Sequence, residues 1–193
     1  MTMRTSPPKA LKTNRGGSML AKLGVTVALC LGLALSAGAE SSSVTDLSTV
    51  NVQIIESGDI VEALAVPRGT KVRADARPRV RLPVYFESNS AKLKPEALVL
   101  LAKVSKALSA TDLESFKFSV EGHTDSVGEE SFNATLSERR AEVVRAFLQD
   151  RGVSKDRLKS VGRGEAEPID TNVTNKGRQH NRRVEIINLG SDF

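Results

Sequence analysis

Residues 116–152 read FKFSVEGHTDSVGEESFNATLSERRAEVVRAFLQDRG, and this stretch decides the fold. Apolar and polar residues alternate from Phe116 to Val120, which predicts a strand with one buried face. A loop rich in glycine, aspartate and serine follows over 122–131, and a helix is predicted over 134–150. Gly152 suits the position after this helix, because glycine adopts a positive φ without strain. The stretch therefore predicts a strand, a loop and an amphipathic helix.

One arginine falls inside the apolar stripe of this helix. On a helical wheel Arg140 lies about 40° from Leu136, between the apolar residues of the stripe. Arg139 falls at the edge of the stripe and Arg145 on the polar side. A guanidinium cannot lose its proton, and burying it without a partner is costly. Arg140 therefore requires an anion.

Asp125 is the candidate anion, because it lies in the loop that directly follows the predicted strand. Two interpretations are open. In the first, Arg140 and Asp125 form a buried structural ion pair. In the second, both line a shallow site for a zwitterionic ligand. The ligand amine would then face Asp125, and its carboxylate would bind the fork of the Arg140 guanidinium.

Regular elements are predicted on both sides of this stretch. Strands are predicted over 82–86, 158–161 and 184–189, and helices over 95–109 and 175–181. In the helix over 95–109, the apolar face is predicted to contain Leu98, Leu101, Val104 and Leu108. The order β-α-β-α-β-(α)-β predicts an α/β sandwich, with a mixed parallel and antiparallel sheet and two main helices packed on one face.

The net charge of +5 comes from the start of the chain. Residues 1–39 contain five of the 28 basic residues and none of the 23 acidic ones. Subtracting those five leaves 23 basic against 23 acidic residues, so the remainder is neutral. A nucleic-acid-binding face is therefore not expected. The length of 193 residues favours one domain with extensions.

Residues 1–39 are predicted to be a secretory signal peptide. A basic segment precedes an apolar run over 23–35, and Ala37-Gly38-Ala39 forms a small-residue cleavage site. Starting at Met19 would give a more compact signal. The alternative is an uncleaved N-terminal anchor. Cys30, the only cysteine, lies within the apolar run, so the mature chain would have no thiol and no disulfide.

The rest of the chain divides into an extension, a domain and a tail. Residues 40–80 are interpreted as a linker, with one or two short strands over 50–66 and an exposed basic connector over 71–81. Residues 81–190 form the predicted domain, and 191–193 a C-terminal tail.

The domain resembles the OmpA-like peptidoglycan-binding family in five ordered motifs. They are Phe86-Glu87-Ser88-Asn89-Ser90-Ala91-Lys92-Leu93, Gly122-His123-Thr124-Asp125, Asn133-x-x-Leu136-Ser137-x-x-Arg140-Ala141, Gly162-x-Gly164-Glu165-x-x-Pro168 and Asn181-Arg182-Arg183-Val184-Glu185. Glu87 stands where the family often has aspartate.

The resemblance implies binding of the peptidoglycan peptide stem at its meso-diaminopimelate residue. Carried over motif by motif, Asp125 and Arg140 are the two main ligands. The same comparison implies second-tier contacts from Asn133, Thr124, Asn89 and Arg182.

Other site chemistry is weakly supported. His123 and His180 are the only histidines, and without a mature cysteine they make a poor metal set, so neither a metal nor a cofactor is expected. His123 is expected to order its loop through hydrogen bonds. A Ser-His-Asp hydrolase would need a nucleophile elbow, which no stretch resembles.

The sequence thus predicts a non-catalytic module that ties an envelope structure to the cell wall, in the periplasm of a Gram-negative bacterium. Residues 40–80 would be a tether or a docking arm for an outer-membrane or other envelope protein. One alternative is a membrane-anchored coupling protein of the flagellar stator type, with the leader uncleaved. Another is a cell-wall hydrolase.

Overall fold

The computed structural model describes residues 44–46, 55–66, 73 and 76–191. In chain order its elements are β1 (Val44–Asp46), α1 (Ser57–Leu64), β2 (Arg79–Leu82), α2 (Pro95–Leu108), β3 (Lys117–His123), α3 (Glu130–Asp150), a 3-10 turn (Lys155–Arg157), β4 (Leu158–Gly164), α4 (Asn175–Asn181) and β5 (Val184–Gly190). The predicted leader over 1–39 and most of the predicted linker lie outside the described residues. No helix in the described part is long and apolar enough to cross a membrane.

The five strands form one mixed sheet in the order β1-β2-β5-β3-β4. β5 is antiparallel to both of its neighbours, and Ile186 pairs with Val80 of β2 and with Val120 of β3. β4 runs parallel to β3, and β1 runs parallel to β2. The predicted α/β sandwich is confirmed, and the predicted α3, α4, β4 and β5 match within a few residues.

One face of the sheet carries the apolar core. Phe118 and Val120 of β3 are fully buried, together with Val80 and Ile186 on the neighbouring strands. These side chains belong to one cluster with the buried residues of α1, α2 and α3. Each large apolar side chain buried in this way contributes about 1.5–3 kcal/mol, so the helices are fixed to this face.

The other face of the sheet is polar, and its charges are paired. Glu121 and His123 alternate with the core residues of β3 but are also buried. Nε of Arg163 donates to Glu121 at 2.7 Å, and Nε of Arg183 donates to Glu185 at 2.6 Å. The prediction that this strand has only one buried face is therefore wrong, because β3 lies inside the sheet and these ion pairs help to cover its second face.

Two glycines let α3 lie directly on the backbone of β3 and β4. A Cβ atom at Gly122 would lie 2.3 Å from the carbonyl oxygen of Ser137, and one at Gly162 would lie 2.6 Å from the backbone nitrogen of Glu138. The Ser137 hydroxyl accepts a hydrogen bond from the Gly164 N–H at 2.9 Å, and the Glu138 carboxylate accepts one from the Gly162 N–H. These contacts fix both the height and the rotation of the helix.

The first strand of the domain lies earlier than predicted. The sequence predicts a strand over 82–86, whereas β2 spans Arg79–Leu82. Pro83 follows immediately and has no backbone N–H to donate, which ends the strand. Phe86 instead forms an isolated antiparallel bridge with Leu93, which closes the loop before α2.

The strands predicted over 50–66 are wrong in the part that the structure describes. Ser57–Leu64 form the helix α1. Ile60 and Leu64 are four residues apart on one helix face, and both are fully buried. Asp59 lies in the first turn, where a negative charge stabilises the helix dipole.

The helix α2 buries a slightly different face from the one predicted. Leu101 and Val104 are buried as predicted, but Leu98 is 40% exposed and Leu100 is fully buried instead. The reason is tertiary: α2 contacts both α1 and α3, so its buried face is set by two neighbouring helices as well as by its own apolar stripe.

The close approach of α3 can be tested at Gly122. Gly122→Ala is expected to lower the free energy of unfolding by about 1–3 kcal/mol, because the added methyl group overlaps the Ser137 carbonyl. Gly58→Ala is the control, since a Cβ there has nothing within 4 Å. Because Gly58 lies in the first turn of α1, alanine there should not lower the free energy of unfolding. Urea unfolding followed by circular dichroism measures both. Equal stability of Gly122→Ala and wild type would contradict the packing.

Candidate functional site

Four segments of the chain meet around Asp125 and Arg140. The loop after β3 supplies Asp125, and α3 supplies Asn133 and Arg140. Arg182 lies just before β5, and Ser90 lies in the loop between β2 and α2. Hydrogen bonds between these segments, described below, join them into one site.

Arg140 is buried to 7% exposure, as its position in the apolar stripe predicts. Its Nε donates to the backbone carbonyl of Ser90 at 3.0 Å, and its guanidinium carbon lies 4.8 Å from the centre of the Phe86 ring. Burial and the nearby Arg182 cation lower the pKa of Arg140, whereas Asp125 raises it. Since an arginine stays protonated, the lowered pKa indicates a cation that is incompletely compensated and that an anionic ligand would stabilise.

Asp125 is paired with Arg182 rather than with Arg140. Nη1 of Arg182 donates to Oδ2 of Asp125 at 2.5 Å, and the Val127 N–H donates to Oδ1 at 3.0 Å. Across the described residues Asp125 and Arg140 form no ion pair with each other, so the interpretation as a buried pair between those two is wrong. The Arg182 side chain is 44% exposed, so it is free to rotate away from the carboxylate.

Asn133 ties the site together through its side-chain amide. Its Nδ2 lies 3.2 Å from the carbonyl oxygens of both Asp125 and Val127. The same nitrogen lies 2.6 Å from Oε2 of Glu165. Three acceptors share two amide hydrogens, so the donor capacity of Asn133 is used within the protein. Asn133 thereby connects α3 to the loop after β3 and to the residue after β4.

Thr124 and Asn89 differ in exposure. Thr124 is buried, and its backbone N–H donates to the Gly164 carbonyl at 2.8 Å. Its hydroxyl has no hydrogen-bond partner among the described residues. Asn89 is exposed at the loop before α2 and has φ of 49°, a region that asparagine tolerates. Asn89 is thus accessible to a ligand as it stands, whereas Thr124 lies inside the protein.

The arrangement fits a ligand that carries both charges. Nη1 and Nη2 of Arg140 make no hydrogen bond to any described residue, and together they match the two oxygens of a carboxylate. Asp125 offers Oδ2 to an ammonium group if Arg182 rotates away. Asp125 and Glu165 balance Arg140 and Arg182 in formal charge, but no described carboxylate forms an ion pair with Arg140 itself.

Three further residues belong to the site: Ser90, Phe86 and Glu165. Phe86 and Glu165 lie within the motifs that carry the family resemblance, and Phe86 is an aromatic group that suits a guanidinium. Ser90 acts through its backbone carbonyl. A backbone group leaves no mark on the sequence, so no side-chain pattern could have identified it.

Comparisons with known proteins identify the family of this domain. A sequence model of the OmpA family matches residues 85–182, which include all six predicted site residues. Outer membrane protein A of Bordetella avium is 43% identical over 107 residues, or 55% of this chain and 54% of that protein. The peptidoglycan-binding protein ArfA of Mycobacterium tuberculosis is 38% identical over 105 residues, or 54% and 32% of the two chains. The chain therefore spans about half or less of these relatives.

A solved structure shares both fold and sequence. The cell wall anchor of the T6SS from Pseudomonas aeruginosa superimposes with a TM-score of 0.52 and is 28% identical. The match covers 69% of this chain and 93% of that one.

His123 lies next to the site but does not order its loop through ring hydrogen bonds, so that prediction is wrong. Both ring nitrogens are buried and have no hydrogen-bond partner in the described part of the chain. The pKa of His123 is lowered to about 4, mainly by burial and to a smaller extent by repulsion from the Arg183 cation. The carboxylates of Glu185 and Glu121 oppose this shift. The ring is therefore neutral at neutral pH. Among the described residues, it forms a possible ligand set for a metal with Glu121 and Glu167.

Stability is expected to fall as the pH is lowered from about 6.5 to about 4. Unfolded His123 takes up a proton near pH 6.5, whereas the folded ring does so only near 4, so protonation favours the unfolded chain. The full effect of this one group is on the order of 3 kcal/mol. Urea unfolding at a series of pH values measures it.

His123→Gln is the variant that tests the assignment, because it removes the buried ring that resists protonation. The stability of this variant should depend less on pH between about 6.5 and about 4 than that of wild type. A wild-type stability that does not change over this pH range would contradict the assignment.

Proposed function

Because the chain belongs to the OmpA family, we propose that it binds the peptide stem of peptidoglycan, catalyses no reaction on it, and anchors an envelope component to the cell wall. One similar protein is named as peptidoglycan-binding and one similar structure as a cell wall anchor. The observation that most directly supports the proposal is the state of two side chains in the site. Arg140 is a buried, incompletely compensated cation beside Asp125, a carboxylate whose partner cation can move away.

The proposed ligand group is the free ammonium–carboxylate centre of meso-diaminopimelate. Its carboxylate would bind Nη1 and Nη2 of Arg140, where the planar guanidinium matches two oxygens at once. Its ammonium would take the place of Arg182 at Oδ2 of Asp125. Arg182 would then be free to contact another carboxylate of the stem. Asn89 is exposed beside the bound group and would contact the peptide.

Asn133 and Thr124 are proposed to support the site from within. The side-chain amide of Asn133 lies within hydrogen-bond distance of three protein acceptors, and Thr124 is buried. Both would hold the loop that carries Asp125 and would touch the ligand little. This assigns them a positioning role, where the family resemblance alone implied contacts.

The chain is proposed to reach the periplasm through the signal peptide over 1–39 and to act at the cell wall. Residues 40–80 would connect the domain to an outer-membrane or other envelope protein. The relatives with outer-membrane names fit this location. A membrane-anchored coupling protein would instead retain its leader, so the state of the N-terminus separates the two.

The purified protein is expected to co-sediment with sacculi that contain diaminopimelate, and much less with lysine-type cell wall. Lysine lacks the second ammonium–carboxylate centre that the paired Asp125 and Arg140 would recognise. The measurement is the fraction of protein in the pellet over a range of wall concentrations. Equal retention on both kinds of wall would refute the proposed ligand.

Arg140→Ala and Asp125→Ala are each expected to weaken binding of a soluble monomeric muropeptide roughly ten- to hundredfold. A desolvated charged hydrogen bond contributes about 1.5–3 kcal/mol, which corresponds to that factor. Arg139→Ala is the matched control, because Arg139 is exposed on the same helix. Isothermal titration calorimetry gives the three affinities. A monomeric ligand is needed because many stems on one sacculus would mask the loss through avidity. A loss of the same size in Arg139→Ala would mean that only general charge matters.

Export is expected to be followed by cleavage after Ala39, because small residues occupy positions 37 and 39. N-terminal sequencing of the protein from the periplasm measures this directly. A mature chain that starts at Cys30, or one with an intact leader, would refute the predicted cleavage. The intact leader would favour the membrane-anchored alternative.

A further inference from the structure

The polar face of the sheet contains a buried histidine, His123, that is not part of the proposed peptidoglycan-binding site. His123 is 2% exposed, and neither of its ring nitrogens has a hydrogen-bond partner among the described residues. A buried polar group without a partner destabilises the folded protein, so such a group calls for an explanation. A neutral imidazole offers one ring nitrogen lone pair to a ligand.

Two carboxylates lie close to this ring. One potential ligand atom each of Glu121, His123 and Glu167 lies within 4.8 Å of the other two. Glu121 is on β3, two residues before the histidine, so both side chains point to the same face of the sheet. Glu167 follows β4 and comes from a separate segment of the chain.

We propose that Glu121, His123 and Glu167 form a binding site for a divalent transition-metal ion of the zinc type. One imidazole nitrogen and two carboxylate oxygens are ligands that zinc accepts, with water completing a tetrahedral set. Magnesium and calcium prefer oxygen ligands alone and fit this set poorly. Such an ion would satisfy the buried ring and link β3 to the segment after β4. This site is separate from the one around Asp125 and Arg140.

Metal binding requires a small closure of the site. Zinc bonds of about 2.0–2.2 Å put tetrahedral ligand atoms about 3.4 Å apart. In the structure these ligand atoms all lie within 4.8 Å of one another, so no pair has to approach by more than roughly 1.4 Å. The Glu167 side chain is 51% exposed and can move toward the other two ligands.

Arg163 competes for the same carboxylates. Its Nε lies 2.7 Å from Glu121 and 3.8 Å from Glu167, so the guanidinium bridges two of the three proposed ligands. Its side chain is 41% exposed and can leave. The metal would therefore exchange with Arg163. This exchange predicts effects of opposite sign for a ligand residue and for the competing arginine.

The test is calorimetric titration of the untagged full-length chain with zinc chloride at neutral pH. We expect one saturable site. Glu167→Gln should weaken binding at least tenfold, because an exposed ligand is lost without disturbing the core. Arg163→Gln should tighten binding several-fold, because the competing cation is gone. Glu142→Gln, which removes an exposed charge on α3, should bind as wild type does. Magnesium at the same concentrations should give no binding heat.

The ring nitrogens of the two histidines identify the location. In a long-range ¹H–¹⁵N spectrum, zinc should shift the resonances of His123 and leave those of His180, which bonds to Asp170 at 2.8 Å, unchanged. Three results would each overturn the proposal: no saturable binding at millimolar zinc, a shift confined to His180, or equal zinc affinity of Glu167→Gln and wild type. Weaker binding by Arg163→Gln would also overturn it, since that arginine would then support the metal.

Discussion

The contact between α3 and the bare backbone of β3 and β4 is the constraint on which the rest of the domain depends. At Gly122 and Gly162 a single methyl group would overlap the helix backbone, so the helix lies as close to the sheet as two backbones allow. Ser137 and Glu138 then bond to the strand backbone and fix the rotation of the helix. Because a helix rotates as a unit, the same contacts decide that Arg140 faces inward.

The two polar regions of the domain differ in how completely their charges are paired. On the polar face of the sheet, acids and arginines neutralise one another, as Glu121 and Arg163 do at 2.7 Å. Around the candidate binding site the balance is incomplete: Asp125 is neutralised by Arg182, and among the described residues Arg140 has a carbonyl and an aromatic ring as direct partners, with Asp125 acting on it without an ion pair. A protein can maintain such an uncompensated cation because its core supplies the stability. The imbalance makes the site receptive to a carboxylate.

Much of the fold and part of the candidate site could be predicted from the sequence. Each feature that was missed has a physical reason. The helical wheel predicted Arg140 inside the apolar stripe and Arg139 at its edge, and in the structure Arg140 is buried and Arg139 is exposed. The partner of Asp125 was missed because Arg182 lies 57 residues away, and only the folded sheet brings them together. The role of Ser90 was missed because it acts through its backbone. The helix α1 was taken for strands because eight residues can fit either period.

The central claim is that Arg140 and Asp125 form a ligand site and are not merely part of the scaffold. The most direct measurement is the calorimetric melting temperature of the wild-type protein with and without a diaminopimelate-containing muropeptide. A ligand that binds only the folded state stabilises it by about 2.7 kcal/mol at one hundred times its dissociation constant. The account predicts a clear rise in melting temperature for wild type and none for Arg140→Ala, which should itself remain folded. A wild-type melting temperature that millimolar muropeptide leaves unchanged would contradict it.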